Sequence, residues 1–181
     1  MPFTRRKILF PVQTGDWAED GPKLIRALDA YMLSLEGPGA VNVVEEPANW
    51  TPVLTFGTPG DLAVTCSTQV GDASKCGREV WGSFRIVTSA FTHTTAAGSL
   101  TVTGFPYTPS SDSGFIWDGV CTWGGITMAG GRTQVNCSIT AGSSNITFSA
   151  SGSGVAPASI TFAEVPTGGT VILRGNFRFR A

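Results

Sequence analysis

The sequence contains few charged residues and hardly any of the motifs that most catalytic sites need. Charged residues make up 14% of the 181 residues, the formal net charge is −1, and His93 is the single histidine. A nearly neutral chain lacks the basic excess by which proteins bind nucleic acid. No GxSxG, Walker, HExxH or GxGxxG motif is present. We therefore expect no enzyme, no cofactor and no metal site.

Long apolar runs are also missing. No stretch approaches the roughly 18 apolar residues of a transmembrane helix. The segment "ILFPV" follows the basic "TRRK" but is too short for the core of a signal peptide. We expect no membrane insertion and no secretory signal.

Glycine, by contrast, is abundant at 23 residues, and serine and threonine are plentiful. After residue 49 the apolar residues recur with a period of two, in short segments separated by Gly, Pro, Asn and Asp, which is typical of strands joined by tight turns. The pattern predicts an antiparallel β-sandwich or barrel-like domain. The predicted strands cover residues 50–57, 62–69, 77–88, 98–105, 132–140, 144–151, 158–165 and 170–180.

The last of these predicted strands has two contrasting faces. One face carries apolar residues, and the other carries arginines and an asparagine. We interpret the polar face as solvated or as a contact between subunits. The alternative is a site that binds a polyanion. The apolar set is Val171, Leu173, Phe177 and Phe179, and the polar set is Arg174, Asn176, Arg178 and Arg180.

The first part of the chain has a different pattern. Pro22 suits a first helical turn, and Gly37-Pro38 is a stop signal, so a helix is predicted over residues 22–36. We divide the chain into an N-terminal segment 1–36, a linker 37–49 and a β domain 50–181. The helix carries an apolar stripe with heptad-like spacing, which predicts packing on the β domain, around a symmetry axis, or against another protein. The stripe is Ile25, Leu28, Met32 and Leu35.

The four cysteines flank two glycine-containing segments. Cys66 and Cys76 are equally distant from Gly71, so a hairpin about Gly71 would place them opposite each other, close enough for a disulfide. Cys121 and Cys137 flank a second turn region and form a second candidate pair. The alternative is four unpaired thiols. Disulfides in a protein without an export signal favour assembly in a cell followed by release through lysis, as in a virus.

Aromatic residues are concentrated in the segment "FPYTPSSDSGFIWDGVCTW", residues 105–123. Exposed aromatic rings stack on sugars, so this segment, interpreted as lying outside the strands, holds candidate glycan contacts. The alternative is that the rings belong to the core. The candidates are Tyr107, Phe115, Trp117 and Trp123.

Three ordered motifs resemble a domain found at the C terminus of tail fibres and related appendages of tailed bacteriophages. They are "WTPVLTFG", "QVGDASKCGREVWGSFRI" and "GSLTVTGFPYTP", and the resemblance covers about residues 50–181. Ala73 stands where that family usually has an aromatic residue, and a cross-strand disulfide would compensate for the lost packing. The resemblance implies a homotrimeric β domain displayed on the virion, which binds the host surface or another structural protein.

The sequence and the resemblance together predict a short trimeric fibre or spike, attached to tail, neck or capsid through residues 1–36 and displaying its β domain for host attachment. The alternatives are a purely structural decoration or collar protein and a carbohydrate-binding module without catalysis. A depolymerase would need two positioned carboxylates. The candidates are Asp112, Asp118 and Glu164. Asp112 and Asp118 are interpreted as turn residues in loops between strands, and Glu164 lies on a predicted late strand.

Overall fold

The computed structural model describes residues 44–111 and 114–181, with side chains from residue 48 onward. It contains ten strands and a short 3-10 helix, Phe162–Glu164. The strands are β1 Val44–Trp50, β2 Val53–Thr58, β3 Ala63–Cys76, β4 Glu79–Thr92, β5 Ala97–Thr103, β6 Ile116–Gly124, β7 Gln134–Thr140, β8 Ile146–Gly152, β9 Val155–Ser159 and β10 Ile172–Arg180.

All strands pair antiparallel in one curled sheet of order β1-β3-β4-β10-β6-β7-β8-β5-β2, with β9 added to β8. The two ends of this order, β1 and β2, are neighbours in the chain and are separated only by Thr51 and Pro52. Gln69 Nε2 of β3 donates a hydrogen bond to Pro52 O at 2.9 Å. The chain thus ties the two ends of the curled sheet together. The predicted antiparallel, mainly β fold is confirmed.

Most predicted strands correspond to observed ones, and three differences stand out. Residues 116–124, interpreted as lying outside the strands, form β6. Residues 44–49, predicted as linker, belong to β1, which pairs with β3. Residues 158–165, predicted as one strand, contain only the end of β9 followed by the 3-10 helix.

Alternating residues of the strands point into the curl and form one apolar core. In β10 the inner residues Leu173, Phe177 and Phe179 are buried, whereas Arg174, Asn176, Arg178 and Arg180 are exposed, as the alternation predicted. Glycines opposite large rings make room for them. A β-carbon on Gly175 would overlap the Phe84 ring, and one on Gly82 would overlap the Phe177 ring.

The predicted hairpin about Gly71 is wrong. Gly71 lies inside β3, where it leaves space for the Trp50 ring, whose indole Nε1 donates to Asp72 O at 3.3 Å. The β3–β4 turn is at Gly77, which has φ +59°. A glycine with positive φ at the first central position is typical of a type II′ hairpin turn.

This register also overturns the predicted disulfides. Cys66 and Cys76 lie on the same strand, opposite Thr88 and Glu79 respectively, and ten residues of strand separate them by about 33 Å. Cys137 is opposite Gly119, so Cys121 is only its diagonal neighbour. Cys66, Cys121 and Cys137 are free thiols. Neither predicted disulfide is present.

The predicted helix 22–36, its stripe at Ile25, Leu28, Met32 and Leu35, and the proposed anchoring role of residues 1–36 lie outside the described residues. Within the described part of the chain, no helix is both long and apolar enough to cross a membrane.

Candidate functional site

A cleft opens where β6 separates from β10. The two strands pair from Ile172↔Gly124 to Asn176↔Val120 and no further, while β6 continues its pairing with β7 as far as Ile116. The end of β10 and the start of β6 are therefore not joined by the sheet. The cleft between them has a volume of about 480 Å³. Its lining residues are Arg78, Glu79, Ser110, Phe115, Trp117, Arg178, Phe179 and Arg180.

One side of the cleft is aromatic. The rings of Phe115 and Trp117 are stacked, with centroids 5.7 Å apart and planes 21° apart. Trp117 also rests on Phe179 of the core at 6.1 Å, which fixes its orientation. Phe115 is 58% exposed. The pair therefore offers a supported, water-accessible apolar surface.

The opposite side of the cleft is charged. Arg178 Nε donates to Glu79 Oε2 at 2.7 Å, and Arg180 Nε donates to Glu79 Oε1 at 3.3 Å. The hydrogen bond from Arg178 is the main reason why the pKa of Glu79 is lowered, with a smaller contribution from Arg180. Arg178 also lies over the Trp81 ring, 5.4 Å from its centroid. These contacts hold two guanidinium groups and one carboxylate in place beside the aromatic pair.

The loop before β6 completes the cleft. Ser110 N–H donates to Arg180 O at 2.8 Å, which ties this loop to the end of β10. Ala141 N–H donates to Phe115 O at 3.2 Å, which ties it to the β7–β8 turn. Backbone hydrogen bonds at both ends therefore position Phe115, although it lies outside regular secondary structure.

The structure brings together two of the four predicted glycan contacts, Phe115 and Trp117. Tyr107 is half-buried, with its ring packed against Phe105 at 6.0 Å and Lys75 Nζ 5.8 Å from its centroid. Trp123 is opposite Leu173 on β10, six residues along β6 from Trp117, or about 20 Å away. Tyr107 and Trp123 do not line the cleft.

Sequence reasoning missed Glu79 and favoured a solvated or intersubunit role for Arg178 and Arg180. The alternation of β10 placed both arginines on its polar face, but not the carboxylate that binds them. That carboxylate is across the sheet in β4, opposite Arg180. Only the pairing of β4 with β10 brings Glu79 next to Arg178, which is 99 residues away in the chain.

The other candidate residues have local contacts. The Glu164 carboxylate accepts a hydrogen bond from Thr161 N–H at 2.8 Å and so caps the 3-10 helix. Asp118 is exposed on β6, and Asp112 lies outside the described residues. His93 is half-buried against Phe56 and Phe91, and its ring Nε2 is 2.8 Å from Val165 O.

Among the described residues, no group of three or more His, Cys, Asp or Glu side chains is arranged to hold a metal ion.

No protein-family profile matches the sequence, and no curated protein matches it either. The fold is similar to part of a solved structure, the Dettilon tailspike protein, with a TM-score of 0.53 and 16% sequence identity. The similarity covers 76% of this chain and 24% of the tailspike chain. This chain thus matches about a quarter of the tailspike's length, and the likeness concerns the fold.

Proposed function

We propose that the chain is a structural protein of a bacteriophage particle, a short trimeric fibre or spike whose β domain binds a glycan on the host surface. It would be made in the host cytoplasm, incorporated into the virion through residues 1–36 and released by lysis. Two findings support the phage assignment: the similarity of the β fold to part of a tailspike, and the ordered motifs in residues 50–181 that resemble phage appendage domains.

The observation that carries the glycan proposal is the cleft between β6 and β10. A sugar ring has an apolar face that stacks on aromatic rings and a rim of hydroxyls that bind charged and polar groups. Phe115 and Trp117 offer the stacking surface, and Arg178 and Glu79 offer a donor and an acceptor beside it. The cleft's volume lies within the range of ordinary ligand sites.

The same cleft favours binding without catalysis. Glycoside hydrolysis uses a pair of carboxyl groups, one of which must hold a proton at neutral pH. Glu79 is the one carboxylate among the described residues that line the cleft. Its pKa is lowered by Arg178 and Arg180, which is opposite to the raised pKa that a general acid needs.

The proposal is tested by measuring binding of the full-length protein to an array of bacterial surface polysaccharides. We expect Phe115→Ala and Trp117→Ala each to weaken binding about tenfold or more, which corresponds to about 1.4 kcal/mol. Phe162→Ala and Trp123→Ala are matched controls, since they remove a partly exposed ring of the same type outside the cleft. Thermal unfolding of all four variants separates lost binding from lost structure.

Three outcomes would contradict the proposal. Unchanged binding in both cleft variants would place the glycan elsewhere. No binding to any polysaccharide would favour the second candidate, a purely structural decoration or collar protein. Release of reducing sugar from a bound polysaccharide, abolished by Glu79→Gln, would make the protein an enzyme.

A further inference from the structure

The outer face of the sheet, away from the core, carries a pair of arginines that face each other. Arg85 of β4 and Arg174 of β10 are directly opposite in register. Val70 of β3 and Thr122 of β6 flank them in the same cross-strand row. All four residues are exposed. Two cations therefore stand side by side on an open surface.

This juxtaposition is unfavourable for the domain by itself. Opposed side chains on neighbouring strands have β-carbons about 4.5–5.5 Å apart, and like charges at that spacing destabilise the pair. The other arginines of β10, Arg178 and Arg180, share an ion-pair partner, the carboxylate of Glu79. Among the described side chains, no carboxylate forms an ion pair with Arg85 or Arg174.

The two arginines border a groove of about 350 Å³. Its next cross-strand row consists of Asp72, Ser83 and Asn176, and Asn49 of β1 lies beside Asp72. The groove therefore combines two guanidinium groups with neutral hydrogen-bonding groups and one carboxylate. A guanidinium binds carboxylate and phosphate oxygens through paired hydrogen bonds, and amides and hydroxyls bind neutral hydroxyls.

We propose that the groove bordered by Arg85 and Arg174 binds the carboxylate or phosphate group of an acidic glycan. A single anionic group compensates the arginine pair. A nucleic acid fits poorly, because the chain as a whole carries a net charge of −1 and lacks the basic excess that binds a phosphate backbone. The asparagines and Ser83 suit the hydroxyls that flank an acidic group on a sugar ring.

The groove lies next to the aromatic cleft along β10. Arg174 and Arg178 are four residues apart on the same face, a separation of about 13 Å. An oligosaccharide lying along β10 would place one sugar on Phe115 and Trp117 and an acidic sugar between Arg85 and Arg174. The binding of one oligosaccharide to both sites rests on the proposed function, and it specifies that the glycan is acidic.

The test uses calorimetric titration of the full-length protein with trigalacturonate, with its methyl ester, and with inorganic phosphate. The ester keeps the sugar rings but removes the charges. We expect trigalacturonate to bind at least tenfold more tightly than the ester. We expect Arg85→Gln and Arg174→Gln each to lower the affinity for trigalacturonate at least tenfold. Arg85→Lys keeps the charge but not the paired hydrogen bonds, so we expect an intermediate loss.

Arg132→Gln is the control for net charge, since Arg132 lies before β7 and outside the groove. An equal loss of affinity in this variant would overturn the proposal, because the effect would then be general electrostatics. Equal affinity for the acid and its ester would also overturn it. If phosphate displaces trigalacturonate at a similar concentration, the groove is a site for a small free anion and the glycan assignment is wrong.

Two further measurements separate this inference from the proposed function. Phe115→Ala changes the cleft alone, so trigalacturonate affinity that falls with Arg85→Gln but not with Phe115→Ala supports the groove even if the cleft binds no glycan. Light scattering of the Arg85→Gln/Arg174→Gln double variant tests whether a second copy of the chain occupies the groove. A changed molar mass would make the groove a subunit contact and overturn the proposal.

Discussion

Asp61 shows how a single exposed residue can hold two loops together. Its carboxylate accepts hydrogen bonds from the backbone N–H groups of Thr94 and Thr95, at 2.8 Å and 2.7 Å to Oδ1, and from both hydroxyls. Asp61 N–H in turn donates to Thr95 Oγ1 at 3.0 Å. The connection between β2 and β3 is thereby tied to the β4–β5 loop.

These hydrogen bonds, led by the one from the Thr94 hydroxyl, lower the pKa of Asp61 well below its usual value. The folded form holds the ionised carboxylate more strongly than the unfolded chain does. The stabilisation is therefore fully present above the unfolded pKa of about 3.9 and is lost as the pH falls towards the lowered folded value. We expect Asp61→Asn to lower the melting temperature at pH 7, with a difference from wild type that shrinks below about pH 4.

Circular dichroism melts from pH 7 to pH 2 check this expectation. Asp118→Asn is the control, since it neutralises an exposed carboxylate on β6. A difference between Asp61→Asn and wild type that is independent of pH would show that the carboxylate charge is not what stabilises the loops.

The thiols of half-buried Cys121 and buried Cys137 give a second prediction at the residue scale. Burial raises the pKa of Cys121 to about 12 and that of Cys137 to about 11. Because the thiolate is the reactive form, we expect both to be alkylated by iodoacetamide at pH 8 about a hundredfold or more slowly than a cysteine in an unfolded peptide. Timed alkylation with peptide mass spectrometry measures this, and urea-unfolded protein is the reference. Rapid native labelling, or a Cys121–Cys137 disulfide peptide, would contradict it.

At the scale of elements, the hydroxyl of Thr88 extends the pairing between β4 and β10, two strands that lie far apart in the chain. The ladder between β4 and β10 reaches Val87↔Ile172. One residue further, Thr88 N–H donates to Val171 O, and Val171 N–H donates to Thr88 Oγ1 at 2.8 Å. Thr88 is 1% exposed, so no water can replace its hydroxyl.

We therefore expect Thr88→Val, which keeps the shape, to lower the free energy of unfolding by about 1–3 kcal/mol, the cost of an unsatisfied buried N–H. Urea unfolding measures the change. Thr88→Ser keeps the hydroxyl and is the matched control. A loss in Thr88→Ser as large as in Thr88→Val would mean that the methyl group, and not the hydrogen bond, is what the site requires.

The elements that sequence could predict are those whose own residues alternate clearly. The apolar and basic faces of β10 were evident because Leu173 and Phe177 recur between polar residues. β6 was missed because Asp118 and Gly119 resemble a turn. Gly119 is required there for space, since a β-carbon would overlap Asn176 O of β10.

The misplaced β3–β4 turn and the missed part of the site have the same physical cause. Gly71 and Gly77 look alike in sequence, but in the fold the Trp50 ring packs on Gly71, whereas Gly77 has the positive φ of a turn residue. The aromatic half of the cleft was predicted because Phe115 and Trp117 are close in sequence. Its charged half was not, because Glu79 and Arg178 meet only after β4 and β10 pair. Both features depend on contacts between distant segments, which a local sequence pattern does not predict.

At the scale of the whole molecule, we expect a trimer, as the resemblance to phage appendage domains implies. Multi-angle light scattering of the full-length protein should give three times the chain mass of 18.9 kDa. The same measurement on residues 44–181 shows whether the β domain alone determines the number of chains in the oligomer. A monomer mass for the full-length protein at micromolar concentration would contradict the expectation.

Deleting residues 1–36 tests whether this segment attaches the protein to the particle and whether the β domain folds without it. The described β domain has its own apolar core, formed by residues from Trp50 to Phe179, so we expect the truncated protein to remain folded, with a melting temperature close to that of the full-length protein. We also expect it to be missing from phage particles. Western blots of purified particles, with full-length protein as the control, measure this. Normal incorporation of the truncated protein would place the anchor in the β domain.

The position of β10 governs when this domain can form during synthesis. β10 is the last strand along the chain, yet it lies between β4 and β6 and joins the two parts of the sheet. While the ribosome is still adding residues before Ile172, the earlier strands have no partner across this gap. We therefore expect the edges of β4 and β6 that β10 joins to stay unpaired until β10 has been synthesised, and unpaired strand edges are prone to aggregation.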